Sequence, residues 1–430
     1  MNPLSDPTRR RWLAWGALAS VFLLVNVHRL STAVVSEQLT ADFGVTAAQL
    51  GTLHASFFVI YASIQIPTGV LADRYGPRYV GSAGAVVLSF GAAGFAASGG
   101  YVGAALSRAV IGLGSGVIFV SILRFCANWY RVDEFATMAG LTSGVAGVGA
   151  ILATTPLAVA VGRFGWRPTV GGLAVVGLVS GGAVFALARQ SPAAAGLDPI
   201  ENVPEQASVT LAETGGYLRE LARDPEQWLL SSVFFSGMGT ILTVIGLWGV
   251  PYLVAVYGLD VTTASYFTLL GSVGILVGGP GVGWISDRVG RRLLPMIVGF
   301  GVFALALAVI PLFGSPPLPV VAAVYFLVGS GMGVSILALP VIKERYPAEA
   351  SGVATGTVNG AGFFGATVLP TLMGLAVDRY RTGDAVAGTV TYTEFGYRVA
   401  FAITTGAALL AFASTLALYV RQRRREDGDA

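Results

Sequence analysis

Residues 69–78 read GVLADRYGPR, and residues 283–292, which lie 214 positions further on, read GWISDRVGRR. Gly69, Asp73, Arg74, Gly76 and Arg78 thus recur as Gly283, Asp287, Arg288, Gly290 and Arg292. A second echo pairs GLGSG at 112–116 with GSGMG at 329–333, at nearly the same offset. Each charged decapeptide stands between two long apolar blocks. The chain therefore reads as two copies of one unit in the same sense, with their charged turns at the same end.

The blocks have membrane length. A helix needs about 20 apolar residues to cross a bilayer, and such stretches lie near 12–36, 50–70, 79–98, 102–126, 136–160 and 168–188. A second set lies near 228–256, 265–284, 293–313, 318–341, 351–376 and 398–420. The chain is 54% hydrophobic and 11% charged, whereas soluble domains carry roughly 25% charged residues; its outer face is made for lipid. Its 58 glycines suit membrane helices that approach backbone to backbone. The expected fold is all-α and integral to the membrane: twelve transmembrane helices in two six-helix parallel repeats, residues 1–188 and 228–430. A polar linker, 189–227, joins them, and within it LAETGGYLRELARD (211–224) is expected to form a short amphipathic surface helix. Parallel repeats place a substrate path between the halves.

Charge sets the orientation. With the amino terminus inside, the cytoplasmic segments hold eighteen of the 26 Lys and Arg, the outer segments five and the spans three. That bias predicts two cytoplasmic termini and a multi-pass protein of the cell membrane. The amino-terminal MNPLSDPTRRRW runs into the first apolar block with no small-residue cleavage site at signal-peptide distance, so the block is read as a retained helix. Cys126 is the one cysteine, and His28 and His54 are the only histidines. Neither an internal disulfide nor a Cys- or His-built metal site is expected.

The G-x-L-A-D-R-x-G-x-R signature between the second and third blocks, with its copy between the eighth and ninth, resembles the major facilitator superfamily. Arg108 followed by Gly112, Gly114 and Gly116 resembles it too. The resemblance covers essentially the whole chain and implies alternating access by a monomer. It implies gating roles for Asp73, Arg74, Arg78, Asp287, Arg288 and Arg292, and a helix-bracing role for Arg108. The charges could instead serve topology alone, but aspartate contributes little to topology, and here it recurs.

All 23 acidic residues fall in loops, tails or span ends, with Glu37 nearest the interior. Carriers of cations usually need a membrane carboxylate. Arg29, by contrast, lies inside the first span, where an unpaired charge costs about 2.5–3.5 kcal/mol or more. Asn26, Arg29, Thr32 and Ser36 form one polar stripe at helical spacing. His54, Tyr61, Gln65 and Thr68 share a face of the second span, and Ser121, Arg124 and Asn128 share one of the fourth. Thr240, Thr243, Trp248 and Tyr252 could line the seventh, and Asn359 the eleventh. A guanidinium reads a carboxylate or phosphate through two parallel hydrogen bonds. The candidate substrate-binding set is Asn26, His28, Arg29, Thr32, Tyr61, Gln65, Arg124, Thr243, Trp248 and Asn359.

VNVHRLSTAV resembles the first helix of the organic-anion branches, the anion:cation symporters and organophosphate antiporters, where an arginine meets the anionic group. RFCANWY at 124–130 resembles the end of their fourth helix. Position 243, the repeat mate of Arg29, is threonine, so the paired arginines of the phosphate-ester antiporters are missing. Gln65 stands where nitrate porters carry arginine. A monocarboxylate or sugar acid is the expected substrate. Each lining residue also has a plain reading: Arg124 could snorkel to the headgroups, His28 could be a packing histidine rather than a proton carrier, and Trp248 could belong to an interface belt.

Rival classes are a neutral-solute or drug exporter that holds Arg29 structurally, a membrane nutrient sensor that binds without moving its ligand, and an intramembrane enzyme. The sequence contains no nucleophile–base or metal-ligand cluster facing one cavity and no P-loop. A non-enzyme without cofactor or nucleic-acid partner is expected, driven by exchange or by a proton or sodium gradient.

Overall fold

The computed structural model describes residues 6–428 apart from 199, 201–215, 217, 218, 347, 387 and 388. The described residues are nearly all helical. Helices start where the chain supplies caps. The Asp6 carboxylate accepts the Thr8 amide ahead of α1 (Pro7–Leu30), with Pro7 in the first turn. After α2 (Thr32–Phe43), Thr46 and Gln49 form a capping box on α3 (Ala47–Ser63), which satisfies orphan amides at both positions.

Prolines then break the long apolar blocks. Pro67 lacks an N–H and its ring crowds the carbonyl four residues back, so the expected span 50–70 divides at Ile64 into α3 and the start of α4 (Gln65–Ala97). Inside α4 the first charged decapeptide makes its turn at Gly76, whose φ of 77° is left-handed and suits glycine. Its repeat mate Gly290, with φ 65°, likewise follows the end of a helix. The remaining helices of the first set are α5 (Tyr101–Gly116), α6 (Ile118–Trp129), α7 (Val132–Leu152), α8 (Thr155–Phe164) and α9 (Trp166–Leu187). α7 and α8 bend by 42° at their junction, where Pro156 follows.

The second set opens with α10 (Pro225–Thr243), capped by Asp224, and passes through a π-helical turn (Val244–Trp248) into α11 (Gly249–Tyr257). It continues through α12 (Val261–Val289), α13 (Leu293–Phe313), α14 (Leu318–Ile336), α15 (Ala338–Arg345) and α16 (Ala348–Arg379). A short antiparallel hairpin, β1 (Arg381–Val386) and β2 (Thr389–Tyr392), precedes α17 (Glu394–Gly428). That hairpin departs from an all-α chain. Pro340 ends α14 as Pro67 ends α3.

Among the described residues, ten helices are long and apolar enough to cross a membrane, or eleven with the bent α7–α8 pair taken as one. The expected span at 50–70 is missing from that number because its break leaves α3 with 17 residues, short of the ~20 a span requires. The expected first span, 12–36, is likewise divided at Ser31 between α1 and α2. The surface helix expected at 211–224 falls largely outside the described residues.

Candidate functional site

Arg29 is the last residue but one of α1, immediately before the Ser31 break. Its guanidinium donates to Asn26 Oδ1 at 3.2 Å and lies over two rings, Tyr61 at 5.1 Å and Phe363 at 5.2 Å. Tyr61 belongs to α3 and Phe363 to α16, so the arginine sits where the two helix sets meet. The rings themselves contact, with centroids 4.4 Å apart, and Phe58 lies 6.3 Å from Phe363. Cation–π contacts of this kind are worth roughly 0.5–2 kcal/mol each, more when desolvated. The half-buried guanidinium keeps an unpartnered Nε, and the buried Thr32 hydroxyl nearby in sequence also lacks a partner. Asn26 is held by its own donation to the Phe22 carbonyl at 2.8 Å.

Asn26, Arg29 and Tyr61 therefore come together, with Phe363 added. Phe363 escapes a reading based on polarity, though it lies one helical turn after Asn359 on the same face. Asn359 and Gln65 are half-buried, Gln65 just beyond the Ile64 break. Arg124 is half-buried on α6 and engaged in an interaction of its own. Thr243 is buried and donates to the Gly239 carbonyl at 2.7 Å; Trp248 is buried and donates through Nε1 to the Pro370 carbonyl at 3.0 Å. Both are committed within the second set.

His28 is buried, and its backbone carbonyl accepts a 2.7 Å bond from Arg108, which also faces Phe57 and Phe95. That bond ties α5 to the end of α1. His54 is fully buried against Gly246 in the π-helical turn of the second set. The Leu242 backbone lies nearby, but neither ring nitrogen makes a hydrogen bond of good geometry.

The two sets touch at one end of the molecule. At the end where α3 begins, a Cβ on Gly51 would lie 2.5 Å from the Pro370 carbonyl oxygen, and one on Gly374 would lie 2.4 Å from that of Ala47. The Asp378 carboxylate accepts the Ala47 and Ala48 amides at 3.0 and 2.8 Å, and the Tyr392 hydroxyl takes a further contact from Ala47 at 2.9 Å. A carboxylate of the second set thus caps a helix of the first, where the helix dipole favours it. The Ser265 and Thr155 hydroxyls meet at 3.1 Å, and Leu276 packs on Gly147.

Toward the charged turns, a Cβ on Gly144, Gly279, Gly283, Gly352 or Gly356 would meet nothing within 4 Å. Arg78 donates to the Phe185 carbonyl at 2.9 Å and stacks on that ring; exposed Arg74 lies over Tyr75. Arg292 forks onto Glu344 at 2.6–3.1 Å with Asp287 3.7 Å away, and Arg288 lies over Trp284. Each of these partners belongs to the arginine's own helix set. The Asp73 side chain lies outside the described residues.

Residues of both helix sets thus gather around the Arg29 guanidinium, partway along α3 and α16 from the end where the sets touch. The Major Facilitator Superfamily model matches residues 12–380, and the chain belongs to that family. It is 26% identical over 410 residues to a protein of Cupriavidus necator named "probable sulfoacetate transporter", covering 91% of this chain and 88% of that one. A gentisate transporter of Corynebacterium glutamicum is 27% identical, covering 79% of this chain and 76% of the relative. In fold it matches a bacterial homologue of the lysosomal transporter Spinster in an inward-facing conformation, with a TM-score of 0.74 at 16% identity, over 94% of this chain and 97% of that one. The protein is a multi-pass membrane transporter, and alternating access fits its fold.

Proposed function

We propose that this chain is a secondary active carrier of a small organic anion, a carboxylate or sugar acid, with Arg29 as the group that meets its negative charge. Asn26, Tyr61, Thr32 and Asn359 orient the remainder. In this reading residues 1–188 and 228–430 form two six-helix bundles joined by 189–227, α3 with the start of α4 completes twelve spans, and both termini are cytoplasmic. The structure then corresponds to an inward-open state.

The observation that carries the proposal is a half-buried guanidinium, at the meeting of the two sets, whose described partners are an amide oxygen and two rings rather than a carboxylate. A membrane-embedded charge calls for an anionic partner, and substrate would supply one. The names of the two relatives, both carriers of acids, support the same class. The same ring contacts favour one rival reading, in which Arg29 is held structurally and the cargo is neutral.

Thermal stability separates the two. A ligand that binds the folded state raises the melting point by mass action. Purified protein is screened against carboxylates, sugar acids, phosphate esters, neutral sugars and cationic drugs, with Arg29→Gln alongside. Stabilisation by a carboxylate that disappears in Arg29→Gln supports the anion reading. Equal stabilisation of both proteins by neutral compounds alone sinks it.

A further inference from the structure

At the end carrying the charged turns, the second set encloses a cavity of about 920 Å³ between the start of α10, the α12–α13 turn, the end of α15 and the end of α17. Its lining shares no residue with the Arg29 cluster. Five guanidiniums line it, from Arg291, Arg292, Arg345, Arg423 and Arg425, against the carboxylates of Glu226, Asp287 and Glu344. Those carboxylates are already engaged: Glu344 and Asp287 by Arg292, and Glu226 by both Arg345 and Arg425. The lining therefore sets five guanidiniums against three carboxylates, while Asp224 beside it also engages Arg345 and the Tyr419 hydroxyl accepts from Arg423.

Two further features point to an occupant. Ser286 lines the cavity, is 2% exposed, and its hydroxyl has no hydrogen-bond partner. A buried hydroxyl left unpaired is unfavourable, and a ligand oxygen at this position would relieve it. The first turn of α13, a helix of 21 residues, opens onto the same space through Leu293 and Leu294 and has no side-chain cap. An uncapped helix start presents free amides and the positive end of the dipole.

We infer that this cavity binds a phosphate-bearing anion, with its oxygens among the arginines, the Ser286 hydroxyl and the start of α13. Guanidiniums, a hydroxyl and amides converging from several elements suit a tetrahedral oxyanion better than a planar carboxylate. The volume exceeds that of a bare ion and leaves room for the organic part of a phosphate ester beside Leu230 and Leu418. The phosphate can come from a lipid headgroup or from a soluble ester. Either would tie the end of α17 to the second charged turn.

The test uses full-length protein in neutral detergent, with melting point and native mass spectrometry as readouts. One arm adds dioleoylphosphatidylglycerol, with dioleoylphosphatidylcholine as the control in which choline offsets the phosphate charge. The other adds glycerol 3-phosphate. The expected result is saturable binding in one arm, which identifies the source. Affinity should fall at least about tenfold in the double variant Arg291→Gln/Arg423→Gln, as loss of charge-assisted bonds implies. Ser286→Ala, a one-atom deletion, should weaken binding by about fivefold, and Arg29→Gln should bind as wild type. Binding in neither arm overturns the inference, as does wild-type affinity in the double variant. Loss of binding in Arg29→Gln with retention in the double variant also overturns it, because the ligand would then occupy the central cleft.

Discussion

The two ends of this transporter are held by different chemistry. Where α3 begins, the helix sets are joined by backbone: Gly51 against Pro370, Gly374 against Ala47, and two amides of α3 capped by Asp378. Where the charged turns lie, Arg78 and Arg292 spend their described partners inside their own set. Contacts without side chains allow no slack, because nothing can rotate out of the way. Exposed ion pairs re-form easily and are worth only about 0–1 kcal/mol. An alternating-access carrier has to make and break both ends, and the comparison assigns the strict steric fit to one and the adaptable charges to the other.

Steric intrusion at the closed end should have the largest effect. A Cβ on Gly51 collides with backbone atoms of Pro370 and Thr371, none of which can move as a side chain would. Overpacking of this kind costs typically about 1–3 kcal/mol. Gly51→Ala should therefore shift the conformational equilibrium away from this state by on the order of ten- to a hundredfold. Spin labels at Ala41→Cys and Ser315→Cys, both exposed and on different sets, would report the change in a Cys126→Ser background, since Cys126 is the only native thiol. An unchanged distance distribution would mean that the ends are not packed as described.

Next in size is the carboxylate cap. Asp378 accepts two amides from the opposite set, and a charged hydrogen bond contributes about 1.5–3 kcal/mol. Asp378→Ala should favour separation of that end by about tenfold or more on the same label pair, and hydrogen exchange at the Ala47 and Ala48 amides should rise in step. Asp378→Asn, which keeps an acceptor oxygen but loses the charge, should fall between Ala and wild type. If Asn and Ala both match wild type, the cap follows closure rather than holding it.

Much of this molecule can be read in advance because membrane length, repeat and charge are patterns of side chains. The apolar blocks, the paired decapeptides and the stripe through Asn26 and Arg29 all rest on residue type and spacing, and the nearly all-helical, membrane-crossing chain is the part of that reading the structure carries. The closed end could not be read in the same way, since its contacts run between carbonyl oxygens and missing side chains. Asp378 looks like one more loop acid until α3 is placed beneath it. Thr243 and Trp248 show a second limit: periodicity gives the face of a helix but not the depth at which that face is buried. Two of the broken spans were hidden in single prolines, Pro67 and Pro340, whose effect on the preceding turn outweighs the apolar run around them.

The smallest effect is expected from the charged turn itself. Arg292 forks onto Glu344 within the second set, with side chains one-third and more than half exposed respectively. Pairs this wet contribute about 0.2–1 kcal/mol, and this one spans no gap between the sets. Arg292→Gln should therefore leave the Ala41–Ser315 distance distribution within about twofold of wild type while Gly51→Ala and Asp378→Ala displace it. The gating role implied for this residue concerns the opposite state, in which the charged turns approach the other set. Labels at the charged end, on exposed Arg74→Cys and Arg291→Cys, should accordingly show a minor close-approach population in wild type that declines in Arg292→Gln. A large shift in the Ala41–Ser315 pair would instead mean that the charges act across the molecule in the present state, and the division of labour between the two ends would fail.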